Sequence, residues 1–231
     1  MPRYPNRKPR GRRPRKPLKP LDPARLEEFA VAYVARFATS AAKLEKYLLR
    51  KLRERGYTPD ASENWLAEDA ARASDEASLE AGRARIGELV ERFVEKGYVD
   101  DDQFARSRAG SLLSRGYGAR RIEQTLRHDG IAEEVRDAHA PQRAEARQAA
   151  LALARKRRFG PFARGGPNGD IEDGLLPEDR DFAANEERRK LRDKQLAAML
   201  RAGHEFADAS AILDFRNEAE AEEWARGDDD A

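Results

Sequence analysis

Asp100, Asp101 and Asp102 are the first residues to test for chemistry, because clustered carboxylates suit a hard cation such as Mg²⁺. They follow Gly97-Tyr98-Val99 and precede a helical apolar pattern. At such a position side-chain oxygens cap free N–H groups, and acids suit the positive end of a helix. Consecutive helix-start residues also point apart, so capping accounts for the three aspartates and no metal is expected. The chain has no cysteine, which excludes disulfides, thiolate chemistry and cysteine-ligated zinc. His128, His139 and His204 stand far apart, and no histidine–carboxylate pair suggests general acid–base work. The GGPNGD run at 165–170 lacks the Gly-Lys-Ser/Thr of a phosphate loop and follows no strand. The inventory is that of a non-enzyme with no cofactor.

What remains is cationic surface. Lys43, Lys46, Arg50 and Arg53 fall at i, i+3, i+7 and i+10, along one helix face. Arg115, Arg120, Arg121 and Arg127 surround a Gly116-Tyr117-Gly118 turn, and Arg106 and Arg108 lie on the helix before it. A single charged stripe is usually only a solvated face. Two stripes on equivalent helices, in a body that is otherwise acidic, point to a basic groove. Helix starts at 101–103 and 118–120 would add backbone N–H groups for phosphates.

The charge is unevenly placed. Residues 1–20 carry nine Lys or Arg and no acid, so the formal +2 of the whole chain leaves −7 for the rest. Six of the twelve prolines fall in residues 1–22, which should form a disordered arm. Arg7, Lys8, Arg10, Arg12, Arg13, Arg15 and Lys16 make it an electrostatic arm for nucleic acid, or else a solubilising leader. No apolar run is long enough to span a bilayer, and no apolar core follows the N-terminal basic residues. A cytoplasmic monomer without membrane contact is expected.

The elements that position these cations read as all-α. Hydrophobic residues are 39% and charged residues 38%, which suits a thin, elongated helical array. Leu26, Phe29, Ala30, Tyr33 and Phe37 mark a first helix over 23–37, and Leu44, Leu48 and Leu52 a second that ends at Gly56. An acidic insertion, 58–82, precedes the stripe Ile86, Leu89, Val90, Phe93 and Val94, and within it Trp65 and Leu66 could be buried on an extra helix. Phe104, Ala105, Ala109, Leu112 and Leu113, then Ile122 and Leu126, mark two more helices, with a short one at 132–140. A further helix covers 143–158, a mobile loop 163–181, and Leu191, Leu196, Met199 and Leu200 precede Gly203. Phe206 to Phe215 close the pattern before an acidic tail.

Three stretches share a plan: Leu48–Leu52–Gly56, Ile122–Leu126–Gly130 and Leu196–Leu200–Gly203, the last one residue short. The chain therefore divides into an arm 1–22, repeat 1 at 23–97, repeat 2 at 98–141, repeat 3 at 142–216 and a tail 217–231. Each repeat holds three helices.

Gly97-Tyr98-Val99-Asp100-Asp101 with Phe104-Ala105, Arg115-Gly116-Tyr117-Gly118, Arg121-Ile122 to Leu126 and Gly130-Ile131 resemble the RecX family. These are bacterial regulators of the RecA recombinase. The resemblance implies a curved array of three three-helix repeats. It implies lodging in the groove of the RecA–single-stranded DNA filament and limiting its growth, ATPase and strand exchange, in recombination, repair and the SOS response. The partner-facing candidates are then the two cation sets named above and Tyr117, with Arg115 to Arg121 foremost. Two other readings stay open. One is a protein that acts directly on DNA through its arm and stripes; the other is an adaptor for an unrelated protein.

Overall fold

The computed structural model describes residues 18–60, 72–163 and 178–227, with side chains of the last stretch described from Glu186 onward. The expectations for the basic arm from Arg7 to Lys16, for Trp65 and Leu66, and for residues 164–177 lie outside the described residues. Among the described residues there are ten α-helices and one 3-10 turn, and no strand beyond a single bridge between Leu21 and Tyr57. The fold is all-α. Two compact units divide it, one of residues up to 37 with 44–98, the other of 38–43 with 99 onward.

The first unit holds α1 (Pro23–Val34), most of α2 (Ala41–Arg55) and α3 (Glu76–Glu95). Asp22 caps α1 through the Arg25 N–H at 2.8 Å, and proline stands in its first turn, where its missing N–H costs nothing. Leu26, Ala30, Leu44, Leu48, Leu52, Ile86, Leu89 and Phe93 are each buried as the apolar spacing requires. The first helix stops at Val34 rather than 37, and Phe37 is 55% exposed. The expected acidic insertion also yields part of its length, because α3 begins at Glu76, capped by Asp75.

The second unit holds α4 (Asp101–Leu113), α5 (Ala119–His128) and α6 (Glu133–Ala138), then α7 (Arg143–Arg157), α8 (Glu178–Arg201) and α9 (Phe206–Asp214). Ala105, Ala109, Leu112, Ile122, Leu126 and Ile131 form the core of the first triplet. Ala150, Leu153, Met199, Ala209 and Ile212 lie in that of the second. Part of the expected loop 163–181 is helix, since no Gly or Pro follows Pro177 until Gly203. The expected tail also contains α10 (Glu218–Arg226). Seven acids from Glu218 onward mask a buried Ala221–Ala225 stripe with Trp224 beside it, and Trp224 takes Arg147 against its ring at 5.1 Å.

Four glycine helix ends close identically, whereas the Gly56 N–H in the first unit bonds the Leu52 carbonyl four residues back. The N–H of Gly97, Gly116, Gly130 and Gly203 bonds the carbonyl three residues back. The next N–H, of Tyr98, Tyr117, Ile131 and His204, reaches Phe93, Leu112, Leu126 and Met199, five back. This corrects the third copy. Met199, fully buried, takes the place of Leu126, and Leu200 is exposed, so no residue is missing. Gln195 occupies the preceding core position, and its Oε1 accepts the Gly160 N–H at 3.1 Å. A polar residue there made the pattern look shifted.

Candidate partner-binding surface

The densest set of candidate residues lies in the second unit, around the turn between α4 and α5. Gly118 adopts an extended conformation and approaches the second triplet so closely that a Cβ there would lie 2.3 Å from the Gly203 carbonyl oxygen. Gly118 N–H donates to Ala202 O at 3.0 Å and Arg120 N–H to Gly203 O at 3.1 Å. His204, only 3% exposed, hydrogen-bonds through Nε2 to the Gly116 carbonyl at 3.0 Å. The turn is thus bolted to the α8–α9 corner by main-chain contacts.

Two exposed cations result. Arg120 and Arg121 open α5 and make no ion pair among the described residues, while the backbone beneath them is held at both ends. Arg115 donates from Nε to the Ser111 carbonyl at 2.9 Å and sits 5.9 Å from the centre of the half-buried Tyr117 ring. Arg127 pairs with Glu123 at 2.6 Å and Arg106 with Asp102 at 3.6 Å. The N–H groups expected to serve phosphates at 118–120 are instead largely taken by residues 202 and 203. Those expected at 101–103 go partly to the Asp100 side chain, which caps through Gln103 N–H at 2.9 Å.

Lys43 and Arg108 have a different task from the one their charge suggests. Both converge on Asp129, Lys43 at 2.9 Å and Arg108 at 3.5 Å. The Asp129 side chain is 5% exposed, and its backbone carbonyl also accepts the Ser40 hydroxyl at 2.6 Å. Lys43 further lies 4.9 Å over the Phe104 ring. These two cations hold residues 38–43 to the first triplet and leave Lys46, Arg50 and Arg53 as the outward part of the α2 stripe. Arg50 lies 3.9 Å from Glu54, a weak exposed pair.

The three aspartates do three different things, where capping of one helix was expected. Asp100 caps α4, Asp101 accepts the Ala41 N–H at 2.8 Å and so caps α2, and Asp102 pairs with His139 at 2.7 Å. That last contact is a histidine–carboxylate pair the sequence conceals across 37 residues. Its other neighbour is Arg106 rather than a nucleophile, and it ties the end of α6 to the start of α4. Among the described residues no group of three or more His, Asp or Glu side chains could hold a metal. No helix among them is long and apolar enough to cross a membrane.

Burial lowers the His204 pKa from its ordinary 6.5, opposed by the Gly116 carbonyl and by Asp208. A base held neutral by folding contributes stability that is complete above its unfolded pKa and is lost as pH falls below it. Unfolding free energy should therefore decline as pH falls through the ordinary histidine value of 6.5 and below. His204→Gln, which keeps a donor without titrating, should remove that part of the slope in urea titrations. An unchanged slope would place the titrating group elsewhere.

Residues 100–139 match the family profile described as RecX, second three-helix domain. The chain is also similar to the protein named Regulatory protein RecX of Myxococcus xanthus (strain DK1622). The two are 30% identical over 192 residues, covering 82% of this chain and 84% of that one.

Proposed function

The chain belongs to the RecX family, and on that premise we propose that it is a non-catalytic regulator of the RecA–single-stranded DNA filament. In this reading it binds in the filament groove and mainly inhibits filament growth, ATPase activity and strand exchange. The observation that carries it is the exposed Arg120–Arg121 pair on a backbone bolted to Ala202 and Gly203. Cations held on a rigid element lose little freedom on meeting acidic protein or phosphate, and charge complementarity then sets orientation and association rate. Arg115 and Tyr117 extend the same edge, whereas Lys43 and Arg108 are withdrawn from the proposed contact by Asp129.

The test is RecA's single-stranded-DNA-dependent ATPase, with co-sedimentation on preformed filaments. The full chain should sediment with filaments and depress hydrolysis. Arg120→Ala with Arg121→Ala should raise the concentration for half inhibition about tenfold, with helical circular dichroism unchanged. Arg127→Ala should do much less, because Glu123 already neutralises that side chain. Failure of the full chain to sediment or inhibit would overturn the function, and an unaffected double variant would overturn this surface.

A further inference from the structure

A row of aromatic rings joins α1 to α2 and ends in the open. Tyr33 and Tyr47 stack with centroids 4.3 Å apart and planes 18° apart. Phe37 continues the row at 5.3 Å from Tyr33, tilted by 49°, and more than half of it faces solvent. Scattered exposed apolar side chains are ordinary, but this one terminates a stack.

The row is bordered mainly by positive charge. Arg50 lies 5.5 Å from the Tyr47 ring centre, and Lys51 5.9 Å from both Tyr47 and Phe29. From Ala41 to Arg55 there are six Lys or Arg against two Glu. Glu54 engages Lys51 and, loosely, Arg50, while Lys46 and Arg53 have no acidic partner among the described residues. By helical periodicity Tyr47 sits at the seam between the buried stripe Leu44–Leu48–Leu52 and the outward stripe Lys46–Arg50–Arg53.

A row of rings with cations at its Tyr47 end suits one kind of polymer. A single strand of nucleic acid presents unstacked base faces and a phosphate at every step, whereas duplex bases are already stacked on one another. An acidic protein surface would use the cations and leave the open ring without a counterpart. We propose that Phe37, Tyr33 and Tyr47 with Lys46, Arg50 and Arg53 form a track for single-stranded DNA. A base stacks on the free face of Phe37, and phosphates run along the three cations. This deepens the reading above by giving the DNA of the filament a direct contact, yet it rests on residues remote in sequence from Arg120 and Arg121.

The experiment is fluorescence anisotropy without RecA, using the full chain and two labelled strands of equal length, one of thymidine and one abasic. Any contact that reads phosphate alone is equal for the two strands, so their affinity ratio isolates stacking. The wild-type chain should prefer the thymidine strand about 5- to 30-fold. Phe37→Ala should abolish the preference and Phe37→Trp should keep it. Phe37 is exposed beyond the end of α1, so both variants should fold. Lys46→Ala, Arg50→Ala and Arg53→Ala together should weaken both strands alike and reduce the salt slope by about 2. Equal affinity for the two strands, or a preference that survives Phe37→Ala, overturns the proposal. So does a Phe37→Ala variant that binds DNA normally but no longer engages RecA filaments, which would make this a protein-binding face. Inhibition of the RecA ATPase is read separately, so loss of the DNA track and loss of the regulatory reading are distinguishable.

Discussion

Gly203→Ala is expected to be the most destabilising single methyl addition in the second unit. Gly203 has φ of +94°, and a Cβ there would lie 2.4 Å from the Arg121 nitrogen and 2.6 Å from the Arg121 Cβ. A left-handed conformation costs an L-residue about 1–2 kcal/mol. Forcing an extra group into packed backbone costs about 1–3 kcal/mol more. The obstacle is main chain, which cannot swing aside as a long side chain would. A loss of about 3 kcal/mol in urea unfolding is therefore expected. Gly97→Ala supplies the control, since Gly97 has a similar φ of +70° but nothing within 4 Å of its Cβ position. That variant should lose only the conformational part. If the two lose equally, the close approach of Gly203 to α5 is not what joins the triplets. Gly118→Ala attacks the same contact from the other side, so its effect should not add to that of Gly203→Ala.

The second large effect concerns Asp129. Replacing Lys43 and Arg108 together by Ala should destabilise by about 3–5 kcal/mol, because a buried carboxylate would lose both partners. Asp129→Ala should be milder, despite removing the centre of the cluster. The Lys43 and Arg108 side chains are 35% and 39% exposed, so each can turn to water once the acid is gone. Adding Asp129→Asn to the double variant should recover much of the loss, since no buried charge then remains. Urea midpoints for the three proteins decide it. Equal losses in the double variant and in Asp129→Ala would mean that the carboxylate is hydrated rather than dependent on its cations.

Most of the helices were legible in local spacing alone. Apolar residues three and four apart place Leu44, Leu48 and Leu52, or Ile122 and Leu126, on one face whatever the neighbours do, and those faces are the buried ones. The glycine stops were equally legible, because a left-handed helix end favours glycine for local steric reasons. The family resemblance rested on these same local features. Less was legible where a polar or charged residue took a core place. Gln195 disguised the register of the third copy, and the acids from Glu218 onward disguised α10.

Which cation faces a partner was decided only by tertiary structure. Charge along a sequence shows how many cations a helix carries, but not which acids fold back onto them. Asp129 takes Lys43 from 86 residues away in the chain and Arg108 from its own triplet, leaving Arg120 and Arg121 without acidic partners. The aspartates after Val99 diverge for the same reason: Asp101 and Asp102 find the Ala41 N–H and His139 only once the chain has returned. The Tyr33–Tyr47 stack likewise belongs to the meeting of two helices and to neither alone. Periodicity reports the direction of a side chain relative to its own helix, and long-range pairing is information that no single helix contains.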